Sequence, residues 1–175
     1  MMSYFIGKKV SLVALDLEHT DQVLTWINNE AINSSSGIRF PNSKTEQELW
    51  VKATIQNRSK KKLIITSTDE KEVGMVSVHN IDHKNQNCEV GIYIDPNSQG
   101  KGYASEALKL VIRFAFLELN MFKVYANIHE DNTASISLFQ KLGFNKEATI
   151  KKVIFKNGQF IDNLYFSLFK ESYLT

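Results

Sequence analysis

One cysteine in 175 residues leaves no partner for an internal disulfide and no thiolate set for a zinc site. That residue, Cys88, sits in an apolar run, where a small buried hydrophobe is the expected role. Only two prolines, Pro41 and Pro96, punctuate the chain. No stretch approaches the ~18 consecutive apolar residues of a membrane span. No secretory apolar segment follows Met1, so a cytoplasmic location and no membrane partner are expected. Neither sign of charge dominates: the net charge of +2 makes no case for nucleic acid. The basic cluster Arg58-Ser59-Lys60-Lys61-Lys62 lacks interleaved aromatics and reads as a solvated loop. The histidines His19, His79, His83 and His129 show no ligand spacing, so no metal is expected and each reads as a surface or structural residue.

What the chain does have is an ordinary globular composition, 43% hydrophobic and 23% charged. That fits one domain over residues 1–175. Lys8–Leu15 alternates as a strand, and Asp16–Asn29 reads as a helix with Val23, Leu24 and Ile27 on one side. The serine-rich segment Asn33–Asn42 reads as a loop. Thr45-x-x-Glu48 fits a capping box opening a helix to about Asn57. Leu63–Thr68 and Glu72–Asn80 flank a turn at Asp69–Lys71, and Cys88–Ile94 is a further strand. A helix over 101–119, a strand over 122–129, a helix over 133–142 and a closing hairpin around Asn157-Gly158 complete the order.

The most informative segment runs from Val90 to Leu108. An apolar strand ends at Asp95-Pro96, Gly100 and Gly102 follow one residue apart, and a helix then begins with Ala104, Leu108, Val111, Ile112, Ala115, Phe116 and Leu119 on one face. Such a turn aims several backbone N–H groups and the positive end of a helix dipole at one spot, which suits a phosphate. Glycines there let the backbone take the required φ angles and let an anion approach without meeting a Cβ. A P-loop would need Lys-Ser or Lys-Thr after the last glycine, where Tyr103 stands. A dinucleotide fingerprint would need a third small residue where Ser105 stands and an acidic residue near position 122, which is absent.

Gln99-Gly100-Lys101-Gly102-Tyr103-Ala104 resembles the Gln/Arg-x-x-Gly-x-Gly/Ala signature of the GNAT superfamily of acyl-CoA-dependent N-acetyltransferases. The strand Cys88–Ile94 and the downstream Asn132-x-x-Ser135 and Lys141-x-Gly143-Phe144 elements resemble that family in order and spacing. The resemblance implies an α/β (α+β) fold with a mixed, mostly antiparallel sheet and helices on both faces. It implies acetyl-CoA as cosubstrate, no metal, a small-molecule or peptide amine as acceptor, and a homodimer as the usual assembly. Gln99, Gly100, Lys101, Gly102, Tyr103, Ala104 and Ser105 would hold the CoA diphosphate. Ile92, Tyr93 and Ile94 would lie along pantetheine, with free backbone groups where this strand splays from the one at 122–129.

Asn132 would reach pantetheine, cap the next helix, or do both. Phe139 would sit beside the cofactor where many family members carry a tyrosine acid. Phenylalanine cannot donate a proton, so Ser135, Ser137 or a water would protonate the departing thiolate, with Tyr93 and Tyr103 as further donors by position. Lys141 would meet a cofactor phosphate or be solvated at a helix end, and the solvated role is the favoured one. Glu89 is the candidate base, because burial in an apolar strand raises a carboxyl pKa; an edge-facing or salt-bridged Glu is the competing role. The segments expected over the acceptor, Glu30–Thr45 and the hairpin near Lys156–Asp162, hold few acids, chiefly Glu30 and Asp162. The chain also resembles the ribosomal-protein and spermidine acetyltransferase branches, while sparse acids speak against a polyamine. Protein N-termini, amino sugars and polyamines stand as acceptor classes, and a silent acyl-CoA sensor stands beside the enzyme.

Overall fold

The computed structural model describes residues 5–36 and 40–174, with the side chains of 34–36 outside the description. Among the described residues, seven strands form one sheet in the order β1-β2-β3-β4-β5-β7-β6. They are β1 (Val10–Ala14), β2 (Lys61–Ser67), β3 (Glu72–Asp82), β4 (Asn87–Ile94), β5 (Lys123–His129), β6 (Asn145–Lys156) and β7 (Gln159–Phe169). Every pairing is antiparallel except β4 with β5. The helices are α1 (Thr20–Ile27), α2 (Glu30–Ser36), α3 (Lys44–Gln56), α4 (Tyr103–Leu117), α5 (Thr133–Lys141) and α6 (Lys170–Leu174).

Strand alternation divides the core. On β4, Cys88, Val90, Ile92 and Ile94 face α4, whose Ala107, Leu108, Val111, Ile112, Ala115 and Phe116 are buried against them. A fully buried side chain of this size contributes about 1.5–3 kcal/mol relative to exposure. Burial also pushes the Cys88 thiol up to about 12, consistent with a packing role. The opposite face packs Ile64 and Met75 against Val23, Trp26, Ile32 and Val51 of α1, α2 and α3, with Tyr93 at its margin. Helices therefore cover both faces, as expected. No helix among the described residues is long and apolar enough to cross a membrane.

Several local expectations shift. The helix expected over Asp16–Asn29 is split into a 3-10 turn at Leu17–His19, capped by Asp16, and α1. The cap of α3 is Ser43 with Glu46, not Thr45 with Glu48: Ser43 Oγ accepts from the Glu46 N–H at 3.2 Å, and Glu46 Oε2 accepts from the Ser43 N–H at 2.8 Å. Both pairs fit the pattern, and the Asn28–Asn42 amide exchange fixes where the chain enters. The first part of the expected Asn33–Asn42 loop is the end of α2. Burial of Ile32 on Trp26 and its neighbours overrides the weak helix propensity of serine there. Residues 37–39 of that expected loop lie outside the described residues. Lys62, expected in a solvated loop, is half-buried in β2.

Candidate active site

The β4–β5 pairing covers only Asn87–Glu89 against Lys123–Tyr125. Beyond Glu89 the two strands part, as the resemblance implied, and β4 keeps hydrogen-bonded partners only on its β3 side. Two cavities meet in the wedge. One, of about 610 Å³, is lined by Ser98, Gln99, Gly100, Gly102, Tyr103, Ala104, Ser105, Leu138 and Lys141 among others. The second, of about 350 Å³, is lined by Lys62, His79, Glu89, Asn127, His129 and Phe139 among others. Ile32, Ile92, Tyr93, Asn132 and Ser135 line both and form the junction.

The larger cleft is built from main chain. Gly100 and Gly102 have φ of 76° and 86°, left-handed values costly for other residues. Gly102 is the N-cap of α4, which is why the helix starts at Tyr103 rather than 101. A Cβ at Gly100 would meet nothing within 4 Å, so the turn is open to a ligand. Glu106 in the first turn accepts from the N–H groups of Lys8 and Lys9, both at 2.7 Å, and so anchors the helix end to β1. Lys101 does not line this cleft; its carbonyl accepts from Lys9 Nζ at 3.0 Å. Lys9 is thus a cation beside the turn that the motif did not disclose. Lys141, for which a solvated helix end was favoured over a phosphate contact, lines the cleft. Phe139 lies instead in the smaller cavity, 3% exposed and edge-on to Phe144 at 5.0 Å.

The junction is polar at α5. Asn132 Oδ1 caps that helix by accepting from the Ser135 N–H at 3.1 Å, so the capping role holds while the residue also borders both cavities. Tyr93 packs edge-on to Trp26 at 5.7 Å, and its hydroxyl has no partner. Burial pushes that hydroxyl's pKa far up.

The smaller cavity is built from side chains. Glu89 Oε1 accepts from Asn127 Nδ2 at 3.0 Å and lies 3.3 Å from His79 Nε2, while Oε2 accepts from Asn80 Nδ2 at 2.9 Å. Successive strand residues normally point to opposite faces. A bulge after His79, with Asn80 at φ 52°, lets both serve one carboxylate. Asn163 Nδ2 donates to Asn127 Oδ1 at 3.0 Å and so orients the amide that faces Glu89. The expected upward pKa shift is therefore corrected. Burial would raise the Glu89 carboxyl, but the donors from His79, Asn127 and Asn80 outweigh it and hold it below the usual value. His79, taken for a surface or structural residue, is a partner of Glu89. His129 also lines the cavity with an unpartnered Nδ1; burial lowers its pKa against the opposing pull of Asp131. A weak sequence signal existed, since His79 and Glu89 stand at symmetric places around the β3–β4 turn.

The acetyltransferase (GNAT) domain family matches residues 9–145. The SPbeta prophage-derived uncharacterized N-acetyltransferase YokL of Bacillus subtilis (strain 168) is 29% identical over 172 residues, 98% of this chain and 96% of that protein. Spermidine N(1)-acetyltransferase of Escherichia coli (strain K12) is 32% identical over 120 residues, 69% of this chain and 64% of that protein. Spermidine N-acetyltransferase from Vibrio cholerae, solved in complex with CoA and spermine, superposes with a TM-score of 0.90 over 97% of this chain and 100% of that one. At 23% identity, that last likeness speaks for the fold.

Proposed function

Because the chain belongs to the acetyltransferase (GNAT) domain family and is an N-acetyltransferase, we propose that it moves the acetyl group of acetyl-CoA directly onto a primary amine in a ternary complex. The observation that carries this reading is the junction: two cavities, one backbone-lined and one side-chain-lined, share Ile92, Tyr93, Asn132 and Ser135 where β4 leaves β5.

The larger cleft fits CoA on its own features, an open glycine turn at the N-terminus of a 15-residue helix with Lys141 in its wall. Gln99, Gly100, Gly102, Tyr103, Ala104 and Ser105 would hold the diphosphate, and the free edge of β4 at Ile92–Ile94 would pair with pantetheine amides as an added strand does. Acetyl-CoA supplies an activated acyl group as a thioester. A backbone N–H of β4 is the donor for the negative charge that develops on its carbonyl oxygen, an interaction that strengthens as that charge grows.

An ammonium has no lone pair, so the acceptor must lose a proton before attack. The Glu89–His79 pair takes that proton. Glu89 stays ionised under its three donors, and with His79 Nε2–H directed at Glu89 the other ring nitrogen, Nδ1, is the one that takes the proton. Ser135 at the junction is the proton donor for the departing thiolate. Its help is modest, because thiols titrate near ~8.5 and leave tolerably well unaided.

Thiol release from acetyl-CoA, followed across a panel of primary amines, tests this function. Turnover with at least one amine, together with a rise in melting temperature on adding acetyl-CoA, is the expected result. Stabilisation by NADH but not by acetyl-CoA would overturn it. Stabilisation by acetyl-CoA with no turnover on any amine would assign a silent sensor, the reading that Phe139 in a proton donor's place makes conceivable.

A further inference from the structure

Lys62 has no part in the chemistry just described, yet it borders the acceptor-side cavity. It stands opposite Ser77 of β3, which stands opposite Gly91 of β4. Alternation puts all three on the sheet face that carries Glu89 and His79. At about 4.8 Å per strand, the Lys62 backbone lies roughly 10 Å from Gly91, well within the span of a small molecule. Its ammonium leans on the Trp50 ring of α3, 5.1 Å from the centroid, and forms no ion pair with a carboxylate among the described residues. The charged or titratable groups around it are Lys60 on its own chain segment, His79, His129 and Glu89 across the cavity, and Arg58, Lys61 and His83, with which Lys62 also lines a neighbouring apolar cavity; α2 and α3 offer it the uncharged Ile32 and Trp50.

A half-buried cation without a counter-ion is costly to keep. Burial, with Lys60 adding to it, lowers the Lys62 pKa to about 8, so at neutral pH the group is still mostly an ammonium in want of an anion. Glu89, the only carboxylate lining this cavity among the described residues, forms no ion pair with Lys62 and is turned instead to Asn127, His79 and Asn80. The acceptor space thus presents Lys62, His79 and His129 to an incoming molecule. A polyamine would bring more positive charge to a wall with no free carboxylate. An acceptor that ends in an anion would give Lys62 its missing partner.

We propose that Lys62 is a specificity-determining residue that selects an amine carrying a carboxylate or phosphate at its far end, the anion on Lys62 Nζ and the amine at the Glu89–His79 pair. The assignment rests on the acetyltransferase reading above. Its test is a matched set of acceptors: 6-aminohexanoate for the carboxylate arm, O-phosphoethanolamine for the phosphate arm, and 1,6-diaminohexane as the cationic counterpart. The intact protein should show a higher kcat/KM for at least one anionic amine than for the diamine. Lys62→Met should lower that value roughly tenfold or more, the worth of one charge-assisted contact, through KM and with the diamine unaffected. Lys62→Glu should reverse the order of preference. A diamine preferred by the intact protein, or an equal loss on every acceptor in Lys62→Met, would overturn the assignment while leaving the transferase function standing. Should no amine be acetylated, the proposed function falls. Calorimetric binding of the same three amines to the CoA-loaded protein then decides Lys62 by the same ordering.

Discussion

The two cavities that meet between β4 and β5 are built from different material. The larger is a property of the backbone: two left-handed glycines, a helix N-terminus and a strand edge freed where β5 departs. The smaller is a property of side chains gathered from β2, β3, β4, β5 and α5. The first is legible in six consecutive residues and is tolerant of side-chain change. The second depends on register, and Glu89 within it is tuned by His79, Asn80 and Asn127, which other strands bring to it. A ligand grip common to a family can therefore sit beside an acceptor site peculiar to one chain.

The largest expected effect lies in the side-chain cavity. Glu89→Gln should cut acetylation at pH 7 by ~10²–10⁴-fold, the range for loss of general base assistance, and by much less at pH 9.5, where more amine is already neutral. Equal losses at both values would remove Glu89 from proton transfer. His79→Gln should lower activity with the same pH dependence; full activity in that variant would leave Glu89 acting alone.

The backbone cleft should answer differently. Gly102→Ala places a Cβ 3.2 Å from Lys9 Nζ at a φ of 86°. The strain of about 1–2 kcal/mol should raise KM for acetyl-CoA up to roughly tenfold while KM for the amine stays put. A change confined to the amine KM would break the division between the two cavities. At the junction, Ser135→Ala should reduce kcat less than ~10-fold, because the thiolate is a fair leaving group without help. A loss above a hundredfold would make the serine hydroxyl essential.

The smallest effect is one of stability. Burial lowers the folded-state pKa of Lys62 to about 8, below the 10.5 of an ordinary lysine. Between those values the unfolded chain holds the extra proton, so stability rises with pH across the window. Below pH 8 the buried charge is a full penalty. Lys62→Met should raise the melting temperature by a few degrees at pH 7, with the gain fading from pH 8 to pH 10.5. A gain independent of pH would mean that packing, not charge, is responsible.

Much of this was readable along the chain. The strand–turn–helix at 88–117 was legible because its determinants are local: alternation, two glycines and an apolar stripe within one stretch. The cap of α3 was misplaced by two residues because Ser43–Glu46 and Thr45–Glu48 obey the same pattern, and only the pairing of Asn28 with Asn42 chooses between them. Lys62 was hidden for a related reason. A run of cations looks solvated until the sheet turns one member inward onto Trp50.

The family and the glycine turn were thus legible in the order of residues alone, because their determinants span a few positions; the sheet architecture followed only through the family resemblance, since its pairings, such as Lys123 with Phe169, join residues far apart in the chain. The ionisation of Glu89, the recruitment of His79 and the unpaired charge of Lys62 were decided by tertiary structure. Electrostatic environment depends on what lies within a few ångströms in space, and here a bulge in β3 and the parting of β4 from β5 choose those neighbours.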